Sequence, residues 1–163
     1  MNSYMVSIRP EWVKKIVNGE KIIEVRKSAP KELPFKAYIY MTKNGKVIGE
    51  FICDKVEKFS VGSLRSDDIE KLACLSYNEM INYFYNPEEL DGKTVKQGFA
   101  WHISDLKIYD KPKELNEFNR PCSYAGLCFS CDRAKFTSKG DRICQAMITR
   151  PPQSYMYVEE LGE

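Results

Sequence analysis

Asn18-Gly19-Glu20-Lys21-Ile22-Ile23-Glu24-Val25-Arg26-Lys27 is the stretch on which the reading of this chain turns. Gly19 closes a helical pattern, and the alternation after it is that of a β-strand. Successive side chains of a strand point to opposite faces, so Ile23 and Val25 go one way and Ile22, Glu24 and Arg26 the other. Lys21 stands at the strand's mouth, so two cations and a carboxylate reach one small neighbourhood. Such a face belongs at a wet edge or in a polar pocket, because burying either charge unpaired costs on the order of several kcal/mol. An exposed strand face carrying an ordinary surface ion pair satisfies the same spacing, and such a pair contributes little.

Upstream, residues 4–8 alternate as a first strand, and Pro10 opens a helix whose apolar face is Trp12, Val13, Ile16 and Val17. Downstream, Pro30 and Pro34 mark a loop, and residues 37–42 and 47–56 read as strands joined at Asn44-Gly45, a strong hairpin signal. Ser66 is the expected N-cap of a helix bearing Ile69, Leu72 and Ala73, and a shorter helix is expected over 77–85. Residues 98–109 return to strand character, with Phe99, Trp101, Ile103, Leu106 and Ile108 expected inward. Pro112 should open a turn or short helix to Phe118, and a last strand is expected near Tyr155–Val158. Short strands with a few helices point to an α+β fold: a small curled sheet or β-barrel with peripheral helices.

At 163 residues the chain suits one well-packed domain, and 43% apolar with 12% aromatic content is that of a globular protein. A formal charge of +2 does not announce a nucleic-acid binder, so any basic footprint must be local. No basic leader followed by an apolar run and no membrane-length apolar stretch appears. A cytoplasmic location is therefore expected, with the six cysteines as thiols or metal ligands.

With these elements placed, residues 4–118 resemble the ASCH family of the PUA-like superfamily. The pieces that carry the resemblance are Ile8-Arg9-Pro10, the spaced Gly19, Lys21, Glu24 and Arg26, the run Tyr38-Ile39-Tyr40-Met41-Thr42, the strand Val47-Ile48-Gly49-Glu50-Phe51, and Gly98-Phe99-Ala100-Trp101-His102-Ile103. The likeness is strongest to versions carried by bacteriophages and their hosts. It implies a PUA-like barrel over 1–118 whose polar cleft faces RNA or a modified nucleotide. Residues 119–163 then form a cysteine-rich tail packed on the same domain. Some family members resemble N4-acetylcytidine amidohydrolases, which use a lysine, a threonine three residues later and a distant glutamate. Lys21 matches the lysine, but Glu24 occupies the threonine position. A carboxylate there can act as a base or hold Lys21 charged, yet it cannot replace a nucleophilic hydroxyl.

Read from their own chemistry, Lys21, Glu24 and Arg26 suit a nucleotide: Arg26 forks onto a phosphate or base edge, Lys21 gives a point charge, and Glu24 accepts from a base amine. Were the chain an enzyme, Lys21 and Glu24 would be the catalytic pair. Lys27, Tyr40 and Thr42 are the further ligand-binding candidates, Tyr40 as a stacking platform at a strand end. Tyr38 and Trp101 could also stack, although alternating strand aromatics are more often core. Lys31 and Lys36 lie in or beside the proline loop, where a solvated role competes with phosphate contact. His102, the only histidine, is either a cleft base or a structural strand residue.

Cys122, Cys128, Cys131 and Cys144 are spaced Cys-x5-Cys-x2-Cys-x12-Cys, and the Cys-x2-Cys turn lets two sulfurs reach one ion. A structural zinc is the favoured reading, with free thiols, a redox pair or an iron–sulfur cluster as alternatives. Cys53 and Cys74 sit in apolar patterns and are expected as buried thiols. Residues 120–150 carry Arg120, Arg133, Lys135, Lys139, Arg142 and Arg150 against Asp132 and Asp141. That basic excess suits phosphate, or else pairs with the acidic Glu159, Glu160 and Glu163. RNA or modified-nucleotide binding is thus the leading expectation. A ribonuclease, a modified-nucleoside hydrolase, or a protein-binding regulator of a phage or its host are the alternatives.

Overall fold

A computed structural model describes residues 1–122, 135–136, 139, 142–144 and 146–162 of the chain. Its first half runs β1 (Asn2–Ile8), α1 (Pro10–Val17), β2 (Ile23–Arg26), β3 (Phe35–Met41), β4 (Lys46–Cys53), β5 (Val56–Ser60), α2 (Leu64–Ala73) and α3 (Tyr77–Phe84). The second half adds β6 (Gln97–His102), β7 (Ser104–Glu114), β8 (Lys135–Phe136), β9 (Arg142–Ile143) and β10 (Tyr155–Val158).

The strands pair as a five-stranded sheet in the order β10-β1-β3-β4-β7, a three-stranded sheet β2-β6-β5 and the β8–β9 pair. The fold is α+β, but among the described residues these pairings make separate sheets where a closed barrel was expected. β1 and β3 run parallel, with α1 and β2 in the connection between them, and β10 joins β1 antiparallel. β3 is central and buried on both faces. Phe35, Ala37 and Ile39 pack with α1 and Trp101, whereas Tyr38 and Tyr40 pack with Met5, Val47, Phe118 and Ile148. A third core lies between the small sheet and α2 and α3, built on Ile23, Val25, Phe59, Ile69, Met80, Phe84 and Ala100.

Several local expectations change. The N-cap of α2 is Ser63, whose hydroxyl accepts the Ser66 N–H; Ser66 itself is buried in the first turn. The run 47–56 is two strands, broken at Asp54-Lys55, and 98–109 is likewise two, with Asp105 just past the break at a φ of 45°. Leu106 and Ile108 are consequently exposed, on the outer strand of the large sheet. Pro112 sits within β7, which among the described residues is an edge strand of the large sheet, a position where proline is tolerated. No helix among the described residues is long and apolar enough to cross a membrane.

Candidate functional site

Gly19 makes the site possible. Its φ of +81°, easy for glycine, follows the end of α1, where Asn18 and Gly19 donate back to Lys14 and Ile16. The chain reverses, the Lys21 N–H bonds the Lys15 carbonyl at 2.9 Å, and β2 starts two residues later beneath α1. Ile23 and Val25 then enter the core under α2 and α3, and Glu24 and Arg26 share the other face; Ile22, before the strand, is exposed.

Lys21, Glu24 and Arg26 are only 3%, 6% and 7% exposed, so the surface-pair reading does not hold. Their head groups form a chain: Lys21 Nζ lies 3.3 Å from Glu24 Oε2, and Glu24 Oε1 lies 2.8 Å from Arg26 Nη2. Lys21 also donates to the Ala73 carbonyl at 2.9 Å, at the negative end of α2, and sits 5.7 Å from the centre of the Trp12 ring. Arg26 Nη2 donates to the Ser7 carbonyl at 2.6 Å, while Nη1 makes only long contacts of 3.4 and 3.5 Å to Ser154. The Arg26 Nε is buried and without a partner among the described residues. Two buried cations against one carboxylate leave a charge of +1, and a buried N–H of this kind has room for an acceptor such as water or a ligand.

The three residues line a cleft of about 530 Å³, together with Ser7, Ile8, Arg9, Glu11 and Trp12 on one side and Leu75, Glu79, Asn82 and Tyr83 on the other. Thr42 and Gln153 complete it. Withdrawal from water and the Glu24 charge raise the Tyr83 phenol, opposed by Arg26 and by the Lys27 backbone N–H that it accepts. The Lys27 ammonium lies over the Tyr83 ring at 5.1 Å, at the rim of the cleft.

Of the ligand-binding candidates, Lys21, Glu24, Arg26 and Thr42 therefore share one hollow and Lys27 borders it. Tyr40 does not. Together with Tyr38 it is buried in the core on the far face of β3, and Trp101 is fully buried against Phe35 and Tyr155. Lys36 is taken by Glu160 at 2.5 Å. His102 lies outside the cleft: its Nε2 is 2.7 Å from Glu57 Oε1, and Arg65 and Lys55 also reach that carboxylate. The Arg65 hydrogen bonds, helped by His102 and Lys55, hold Glu57 down at about 2.

Sequence reasoning missed Trp12, Glu79, Asn82, Tyr83 and Gln153 as cleft residues. Trp12 carried a signal, an indole on a helix flanked by Arg9 and Lys15; the others come from distant segments with none.

Among the described residues no three His, Cys, Asp or Glu side chains are grouped to hold a metal. Cys122 and Cys144 are half-buried, and Cys128 and Cys131 lie outside the described residues. Cys53 is fully buried, which pushes its thiol up to about 12, while Cys74 is half-buried. Glu159 accepts the Cys122 N–H at 3.0 Å, and Glu160 goes to Lys36.

An α+β domain with a charged cleft between a sheet end and the helices α1 and α3 defines the class. The ASCH domain model matches residues 6–112, and the chain belongs to the ASCH domain family, whose PUA-like fold is often linked to RNA binding. No curated protein matches the sequence. The structure is similar to the crystal structure of an ASCH protein from Zymomonas mobilis, with 21% identity, 97% of this chain and 88% of that chain covered, and a TM-score of 0.63. It is also similar to a tyrosine-to-phenylalanine variant of that protein, at 20% identity over 98% of this chain and 92% of that one, with a TM-score of 0.62. A serine-to-alanine variant matches at 20% identity, 97% and 89% coverage and the same score. At such identity the likeness speaks for the fold.

Proposed function

We propose that the cleft binds a ribonucleotide, either one unit of a single-stranded RNA or a free modified nucleotide, and that the protein acts by binding. The observation that carries this is the buried Lys21–Glu24–Arg26 chain on the cleft floor, with the Arg26 Nε left free. A volume of about 530 Å³ suits a small ligand. Trp12 and Tyr83 supply ring faces, and a base stacked on an aromatic side chain gains about 1–3 kcal/mol. Arg9, Lys21 and Arg26 on the lining are balanced by Glu11, Glu24 and Glu79, so the cleft suits one nucleotide better than a long polyanion.

A ribonuclease or modified-nucleoside hydrolase is the alternative. Binding is preferred because Lys21 and Glu24 bond each other, Arg26 and the Ala73 carbonyl, and no hydroxyl among the described residues. Fluorescence anisotropy with a labelled single-stranded RNA pentamer tests the reading. Binding should fall at least tenfold in Lys21→Ala. Its salt slope should be shallow, since each phosphate neutralised on a single strand contributes roughly −0.7. Full binding by Lys21→Ala contradicts the reading, and loss of intact RNA on incubation moves it to the enzyme.

The cysteine set belongs to the same proposal, as a structural zinc on Cys122, Cys128, Cys131 and Cys144. Support comes from the backbone bridge between Asn119 and Met147, flanked by Arg120 N–H to Ala146 carbonyl at 2.7 Å and Ile148 N–H to Phe118 carbonyl at 2.9 Å. It holds together the two stretches that carry Cys122 and Cys144. Elemental analysis should find one zinc per chain, lost in Cys122→Ser; metal-free protein contradicts it.

A further inference from the structure

The segment 151–154 lies beyond the residues that match the ASCH model, yet it contributes Gln153 to the lining of the cleft. Its backbone is pinned on both sides of Gln153. The Ser7 hydroxyl donates to the Pro152 carbonyl at 2.6 Å, and the Ser7 N–H donates to the Ser154 carbonyl at 3.0 Å. Pro152 is buried, and Tyr155 immediately pairs with Val6 in the large sheet. Ser154 also receives the long contacts from Arg26.

Between these two anchored carbonyls Gln153 is exposed, lines the cleft and has no side-chain bond to another described residue. A carboxamide presents an acceptor and donors side by side, which is the pattern that pairs with the edge of a nucleobase. The charged residues of the floor attract and hold, but a carboxylate or ammonium offers only one half of that pattern.

We infer that Gln153 is the specificity-determining residue of the cleft, reading the base of the bound nucleotide through its carboxamide. The inference rests on the nucleotide-binding reading above. The pinned backbone makes the amide a fixed reader: its main chain cannot drift, and only its side-chain torsions must be ordered on binding.

Isothermal titration of the four ribonucleoside 5′-monophosphates into wild type, Gln153→Ala, Gln153→Glu and Lys21→Ala tests it. Wild type should prefer one base by about tenfold or more, as a bidentate contact implies. Gln153→Ala should bring the four affinities to within about threefold of one another, with the weakest ligand and the melting temperature unchanged. Gln153→Glu, which offers acceptors only, should reorder the preference. A wild type indifferent to base, or a preference kept in Gln153→Ala, overturns the inference. If Lys21→Ala loses binding while Gln153→Ala keeps both affinity and preference, only the role of Gln153 fails. If no monophosphate binds wild type, or Lys21→Ala binds as wild type does, the cleft reading fails and this inference with it.

Discussion

Glu24 Oε1 lies 2.8 Å from Arg26 Nη2, and this contact keeps two buried cations from standing unopposed. Removing one partner of a buried pair costs about 3–5 kcal/mol, because the remaining charge loses its compensation. Glu24→Ala should therefore lose stability of that size in urea unfolding, with an unchanged denaturant slope. A loss below about 1 kcal/mol would show that water reaches the triad in the folded protein.

At the start of α2 two serines three residues apart compete for one role. Ser63 accepts the Ser66 N–H at 3.2 Å, so Ser63→Ala should cost about 1 kcal/mol. Ser66 is fully buried with a hydroxyl that has no partner among the described residues, so Ser66→Ala should leave stability unchanged or raise it. Thermal unfolding of both variants settles the order, and a costlier Ser66→Ala contradicts it.

Gly98 faces Phe59 directly across the β5–β6 pair. A Cβ added there would lie 2.5 Å from Phe59 Cζ and 2.8 Å from Phe84 Cζ. Gly98→Ala should then cost roughly 1–3 kcal/mol through overpacking. Phe59→Leu, which retracts the ring, should recover part of that loss in the double variant. A double-mutant cycle measures the coupling, and additive costs would mean that the ring moves aside without strain.

Glu57 ties β5 to α2 and β6 through Arg65, Lys55 and His102. Its carboxyl is held at about 2, below the ordinary 4.5, so it binds its proton more weakly folded than unfolded. The stability it contributes is complete above pH 4.5 and fades as pH falls toward 2. Since Arg65 and Lys55 are well exposed, screening should reduce this to about 1–2 kcal/mol. Denaturation from pH 7 down to pH 2 should show wild type above Glu57→Gln at neutral pH, with the gap narrowing steadily below pH 4.5. A gap at pH 2 as wide as at pH 7 contradicts the assignment.

Much of the site was legible because period-two alternation and one glycine suffice to carry Lys21, Glu24 and Arg26 to a shared face. The burial of that face was not legible, since an ion pair has the same spacing in water or under a helix. Tyr40 misled for a related reason: β3 is covered on both faces, so alternation there marks no solvent side. The corner at Asp54-Lys55 and the break before Ser104 interrupt runs of strand-forming residues without a proline or glycine to mark them. Tyr83 and Gln153 reach the cleft only through tertiary packing, and no local pattern could place them beside Lys21.

The unpartnered Arg26 Nε–H gives the most direct test of the cleft as the binding site. Its resonance can be assigned in a nitrogen–proton correlation spectrum by its loss in Arg26→Lys, then followed during titration with the preferred ribonucleoside monophosphate. A saturable shift of this resonance, larger than that of the exposed Arg65, is the predicted result. Nucleotide binding that leaves the Arg26 resonance unmoved would contradict the account.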